Sequence, residues 1–352
     1  VTSWRYIAQE LPSGRFLDYE VPLERVALTR ALSAPDRLVA SIPVYLPHLA
    51  TILRPWGVAL WVEADGKIRG GGIVTPAVEL EDQAVRLDCV GITGYPTGMP
   101  WLAEPRAYGK DRPAADPLAI VREVWAHLQS YPAGDIGVDV DSTASSARVG
   151  SAEEPFELMW WATHDLGRVI DDLAAETPFD YRIDSAWSGE ALRHRLRLGY
   201  PTLGGRRTDL RMALGENVIG VPPMGGNDAD YATEVLGLGA GEGATMKRAV
   251  LPRSGATGLR RVHVHTDKTA RSESQLASRI RARMPGLDGA PQVHRVAVTD
   301  HPHARIGSFD VGDEVYLTGS SGWATFDRWV RIVELTINPD ESDRVELVVV
   351  EV

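Results

Sequence analysis

The last fifty residues constrain this chain most. From Asp300 the sequence reads "DHPHARIGSFDVGDEVYLTGSSGWATFDRWVRIVELTINPD", and an almost unbroken apolar run follows to the end. Gly307, the pair Gly312-Asp313 and a Gly319–Gly322 turn separate segments rich in Val, Ile, Leu and aromatics, such as Glu314–Thr318 and Trp329–Ile337. Short apolar strands cut by Gly and Asp turns at intervals of roughly eight to twelve residues are the pattern of a small barrel or sandwich. No reactive cluster stands out within the run.

The first hundred residues repeat that pattern. Arg25–Leu32 and Arg37–Val44 flank the turn "SAPD", and Val58–Ala64, Ile68–Thr75 and Ala84–Gly91 follow. The pair Asp65-Gly66 between apolar runs signals a tight hairpin, because both residues tolerate the positive φ that such turns need. Gly70-Gly71-Gly72 falls inside a strand with no Lys-Ser/Thr after it. Close backbone approach or a bulge explains it better than a phosphate cradle.

Between these ends the apolar period changes from two to 3.6. Asp116-Pro117 pairs an N-cap with proline at the first helical position, and Leu118, Val121, Trp125 and Leu128 recur at helical spacing up to Tyr131-Pro132. A second helix runs from near Asp165 to Thr177. A hairpin follows, Phe179–Trp187 and Ala191–Tyr200, whose second strand sets Arg193, Arg195 and Arg197 opposite Leu192, His194, Leu196 and Leu198. A solvated or interfacial arginine face is predicted. Strands resume at Val218–Val221, Tyr231–Leu238, Met246–Leu251 and Leu259–Thr266. One more helix, Ser272–Met284, opens on the capping pair Ser272 and Gln275. The fold class expected is therefore α+β and mostly β: two small β-barrel-like domains, 1–112 and 206–352, flanking a mixed α/β segment, 113–205.

Composition excludes several function classes. The chain has 352 residues and a net charge of −11, from 48 acidic and 37 basic side chains, the wrong sign for a general nucleic-acid binder. No apolar stretch is long enough for a membrane helix. The N-terminus lacks the basic start and apolar core of a signal peptide, so folding in a reducing cytoplasm is expected. Cys89 is the single cysteine and sits in the apolar run "VRLDCVGI", which makes it a core residue and rules out a thiolate-rich zinc site.

Candidate chemistry is sparse. His263 with His265, and His301 with His303 beside Asp300, have ligand-like spacing, yet a metal needs at least three convergent ligands. Gly237, Gly239, Gly241 and Gly243 miss the dinucleotide-binding spacing. The acid pairs Asp139/Asp141, Glu153/Glu154 and Asp171/Asp172 are the only hydrolase candidates, with Trp160-Trp161 as a sugar platform. For the tryptophans the simpler expectation is a strand with one ring buried and one at an interface. No catalytic, cofactor-binding or metal residue is assigned, and no cofactor is expected.

Taken in order, "WVEADGKIRGGGIV", "LDCVGITGYPTGMPW", "DPLAIVREVWAHLQS", "DLGRVIDDLAAETPFDYR", "RLRLGYPTLGGRRTDLR", "GENVIGV", "YATEVLGLGAGEG" and "DHPHARIGSFDVGDEVYLTG" resemble the baseplate-hub type of minor tail protein from long-tailed actinobacteriophages. The resemblance implies a fold shared with contractile-tail hubs and type VI secretion spikes. It also implies a homotrimeric ring at the virion tail tip, assembled in the host cytoplasm, that joins the tail tube to the tip and lines or closes the DNA passage. Its partners would be the distal tail protein, the tape measure protein and other tail-tip proteins, with DNA passing unbound and a ring lining that is not net basic. Some relatives carry C-terminal lysins or receptor-binding modules. This sequence stops at Val352, so those activities are not expected here, and the alternative is a tail-associated cell-wall hydrolase using paired carboxylates.

Overall fold

The computed structural model describes residues 3–81, 83–220, 224–225, 231–287, 292–321, 324–341 and 344–352. About 45% of the chain is strand and 15% helix, which places it in the mostly-β α+β class. It divides into two compact units, one formed by Val1–Val221 with Arg295–Val352 and the other by Pro222–His294.

The first unit is built on a 13-stranded sheet. Its N-terminal part runs Glu24–Ala31, Arg37–Pro43, Ala84–Val90, Lys67–Glu81, Val58–Ala64 and Trp4–Glu10 as successive neighbours. Asp65 and Gly66 turn the central hairpin with φ of 50° and 76°, the left-handed pair expected of that dipeptide. Val58–Ala64 is buried at every position, since it has a core on each side. Val58, Leu60 and Val62 face one cluster with Leu28, Leu38 and Leu87. Ala59 and Trp61 face a second with Trp101 and Trp125. Each fully buried large aliphatic side chain contributes about 1.5–3 kcal/mol, so both layers add substantially to the stability of the unit, as do buried C-terminal residues such as Val315, Leu317, Phe326, Ile332 and Leu347.

The second cluster is closed by the middle segment. Asp116 caps the Pro117–Gln129 helix by accepting from Leu118 N at 3.0 Å, and Leu118, Val121, Trp125 and Leu128 are buried as their spacing requires. The Leu166–Glu176 helix, capped by Asp165 through Arg168 N at 3.1 Å, and the hairpin Asp180–Ser188 with Ala191–Gly199 complete the layer.

The strand-rich ends, expected as two separate barrels, meet in one sheet, and the described pairings close no barrel. Glu24–Ala31 pairs antiparallel with Ala324–Ile337 in the register Leu28 opposite Ile337 and Thr29 opposite Thr336, whose hydroxyls lie 2.9 Å apart. A register shift between Ile332 and Glu334 marks an irregularity in that long strand. Before it the strand pairs with Glu314–Ser321, and after it with Glu24–Ala31. Gly319 lies within the Glu314–Ser321 strand opposite Phe326, so it is not itself a turn residue, and the expected turn's far end, Gly322, lies outside the described residues. Val221, the end of another expected strand, is also outside them.

In the second unit Glu234–Leu238 is the centre of a three-stranded sheet between Arg248–Pro252, antiparallel, and Val262–Thr266, parallel. The Glu273–Arg283 helix starts where the sequence indicates, with Ser272 Oγ accepting from Gln275 N at 3.2 Å. Val235, Ala270, Leu276 and Ile280 form its core.

Candidate functional site

Several charged side chains line a cavity of about 470 Å³ in the first unit, where segments from both ends and the middle of the chain meet. Arg30, from the Glu24–Ala31 strand, is its centre. Its Nη2 donates to Ile183 O at 2.7 Å and Asp184 Oδ1 at 3.3 Å, its Nη1 to Asp310, and its Nε lies 3.7 Å from Asp36. Arg182 bonds Asp184 at 3.1 Å and Val311 O at 2.6 Å. Arg207 reaches Ser308 O at 2.6 Å and Asp313 at 3.3 Å.

Burial alone would lower the Arg30 guanidinium, but Asp310, Asp36 and Asp184 together hold it above its ordinary value. Burial pushes the Asp36 carboxyl up to about 6, against the pull of Arg30 and the Ala31 N–H. Arg30, Arg182, Arg207 and the aspartates here are committed to one another and to backbone carbonyls, while Arg69 lines the cavity with no such partner among the described residues. The arrangement ties three stretches of chain that are distant in sequence, and it presents no carboxylate pair across an open cleft.

His194 is the second buried polar group that sequence reading left unassigned. It stacks on Trp61 with ring centroids 4.8 Å apart, its Nδ1 lies 2.9 Å from Ser185 Oγ, and burial pushes the imidazole down to about 4. Its place on the apolar side of an alternating strand was the available signal.

The residues singled out by sequence reading scatter. Cys89 is fully buried among Leu38 and Leu87, and burial pushes its thiol up to about 12. A Cβ at Gly71 would stand 2.3 Å from Leu60 O, so the glycine run serves close strand approach, with a register shift beside it. Gly237 does likewise under the helix, where a Cβ would meet Ile280 Cδ1 at 2.5 Å.

Arg193 and Arg195 are exposed, while Arg197 pairs with Asp141 at 3.2 Å. Asp141 lies past the end of the Val138–Val140 strand. Its burial acts upward, but hydrogen bonds from Thr143 and the charges of Arg197 and Arg195 hold it below the usual carboxylate range. Asp171 accepts from Tyr181 Oη at 2.8 Å, and Asp172 faces Arg168 at 3.8 Å.

His263 and His265 belong to the second unit, whereas His301 and His303 belong to the first, their rings 4.9 Å apart and His303 3.6 Å from Glu216. Asp300 instead pins its own loop, bonding Arg305 at 2.6 Å and Ile306 N at 2.8 Å. Among the described residues no three His, Cys, Asp or Glu side chains gather as a metal would require.

The tryptophans differ from expectation. The Phe156–Leu158 strand has ended before them, and Ala162 N and Thr163 N both donate to Met159 O, at 3.0 and 2.7 Å. Trp160 and Trp161 therefore project from a turn. Both are more than half exposed, at 56% and 54%, and pack edge-on at 5.0 Å.

No family model matches the chain, and no curated protein does. Its fold does match solved structures. The 43 kDa tail protein of prophage MuSo2 from Shewanella oneidensis aligns with a TM-score of 0.64 at 12% identity, covering 98% of this chain and 97% of that one. A tail protein from Neisseria meningitidis MC58 aligns at 0.59 and 11%, covering 99% and 96%. The E. coli c3393 protein, a type VI secretion component described as similar to T4 tail proteins gp27 and gp5, aligns at 0.50 and 12%, covering 94% and 74%. Over nearly its whole length, this chain has the fold of phage tail proteins.

Proposed function

We propose that this chain is a structural hub of a phage-type tail tip. In this reading its copies form a homotrimeric ring that joins the end of the tail tube to the tip and lines the DNA passage. The observation that carries it is the reciprocal coverage, 98% of this chain and 97% of the MuSo2 tail protein, so the likeness in fold extends over nearly all of both aligned chains. The strand-rich segments 1–112 and 206–352 supply the ring-building lobes, with 113–205 bracing them. Neighbouring copies, a distal tail protein and a tape measure protein cover the remaining surfaces. The virion would be that of a long-tailed actinobacteriophage.

The role is structural rather than catalytic. Asp141 pairs with Arg197, Asp171 accepts from Tyr181 and Asp172 faces Arg168, so each has a local structural partner. Gold-labelled antibody against the chain should decorate intact virions at the tail tip alone, and label along the tail shaft or on fibres would refute the placement. Purified chain should leave host cell walls unclouded by any clearing zone in a zymogram. Clearing that disappears in Asp139→Asn or Glu153→Gln would install the hydrolase reading instead.

A further inference from the structure

Charge is divided unevenly between the two units. Pro222–His294 carries ten Lys and Arg against seven Asp and Glu, a net +3 within a chain of net −11, which leaves −14 on the remainder. Among the described residues, the three-stranded sheet of this basic unit is covered on one face, where Leu276 and Ile280 pack. On the other face Leu236 stands opposite both Val250 and Val264, so the register aligns three apolar side chains across all three strands. Val250 is 41% exposed and Val264 53%. Neither outer strand has a further neighbour in that sheet among the described residues. Open edges beside an apolar face call for a partner. Exposed Arg248, opposite Leu238, shares that face, and exposed Arg261 immediately precedes the Val262–Thr266 strand; neither makes an ion pair among the described residues.

The acidic unit offers a surface of opposite character. Trp160, with Leu102, Glu104 and Pro105, lines a shallow hollow of about 370 Å³, and Trp161 stands beside it. Leu102 is 59% exposed. Glu104 lines the hollow, and Glu153 and Glu157 lie shortly before Trp160 in the chain, Glu157 opposite Ala107; all three are exposed and without an ion pair among the described residues. Aromatic and aliphatic groups ringed by unpaired charges of one sign are the composition of an interface core and rim.

We propose that the open sheet face of one copy docks on the Trp160–Trp161 platform of a second copy, with Arg248 and Arg261 meeting Glu104, Glu153 and Glu157. A second copy is the occupant because one chain carries both halves, matched in apolar character and opposite in charge. The contact uses different patches on the two partners, so it is heterologous, and repeating it closes a ring if the rotation allows. The inference rests on the ring-forming hub reading and specifies its joint.

The test uses the full chain in sedimentation velocity. Val250→Asp with Val264→Asp spoils the sheet face, and Trp160→Ala with Trp161→Ala spoils the platform. All four positions are substantially exposed, and circular dichroism should match wild type. Each variant alone should sediment as a monomer. Their equimolar mixture should form a one-to-one pair and nothing larger, because each copy keeps one working face. Arg248→Glu with Arg261→Glu should weaken wild-type assembly about tenfold or more.

If both variants assemble like wild type, this joint is wrong while the ring reading stands. A wild-type chain that remains monomeric at its highest soluble concentration overturns both. A mixture that fails to pair refutes the heterologous geometry. Loss of duplex DNA binding in the sheet variant, with assembly unchanged, would assign the face to nucleic acid and overturn the proposal.

Discussion

Two buried polar residues connect the sequence to measurable behaviour. His194 remains neutral in the folded chain because burial holds its imidazole at about 4, whereas the unfolded chain protonates it near 6.5. Between those values the unfolded state binds the extra proton, so stability is lost as pH falls from about 6.5 toward 4. The single-site effect is on the order of 3 kcal/mol. Urea titrations of wild type and His194→Phe should therefore diverge across this window, with the variant's dependence flatter. Parallel profiles would show that His194 is not held neutral. Arg30 makes the opposite kind of statement. Removing it as Arg30→Ala takes the cation from Asp36 and leaves Asp184 and Asp310 with Arg182 as their remaining cation. A loss of about 3–5 kcal/mol is expected in the same titrations, and a loss below about 1 kcal/mol would mean that water already serves those carboxylates.

At the scale of elements, what was legible followed local chemistry. The Asp65-Gly66 hairpin, the Asp116 and Ser272 caps and the alternating burial of Ala191–Gly199 were all written within a few residues of where they act. What was not legible depends on distant partners. Trp4–Glu10 has no strong alternation of its own and becomes a strand because Val58–Ala64 pairs along its full length. The joining of the two ends through Leu28 and Ile337 lies some three hundred residues apart in sequence, where no turn signal reports it. The tryptophan pair was misread because its strand ends at Leu158, a boundary set by pairing with Arg106 rather than by the residues themselves. Glycine at position 71 gives a sharp test of the close approach inferred for Gly70–Gly72. Gly71→Ala places a methyl 2.3 Å from the Leu60 carbonyl, while Gly205 has nothing within 4 Å. Gly71→Ala should cost more than about 4 kcal/mol or prevent soluble accumulation. Gly205→Ala should stay within about 1 kcal/mol of wild type in thermal melts. Equal melting of the two would remove the steric argument.

For the whole molecule, the functional reading rests on architecture more than on any reactive group. The cavity around Arg30 joins segments from the two ends and the middle of the chain within one unit, and the match to the MuSo2 tail protein spans 98% of the chain. The division of charge into a basic inserted unit and an acidic remainder could not be seen in the overall −11, because it appears only once the fold defines which residues belong together. Averaged electron cryomicroscopy density of the tail tip, with the chain fitted, tests the central claim most directly. The account predicts three copies in one ring coaxial with the tail tube, adjacent copies joined by unlike patches. A single copy, or density for this chain only in an outlying fibre, would contradict it.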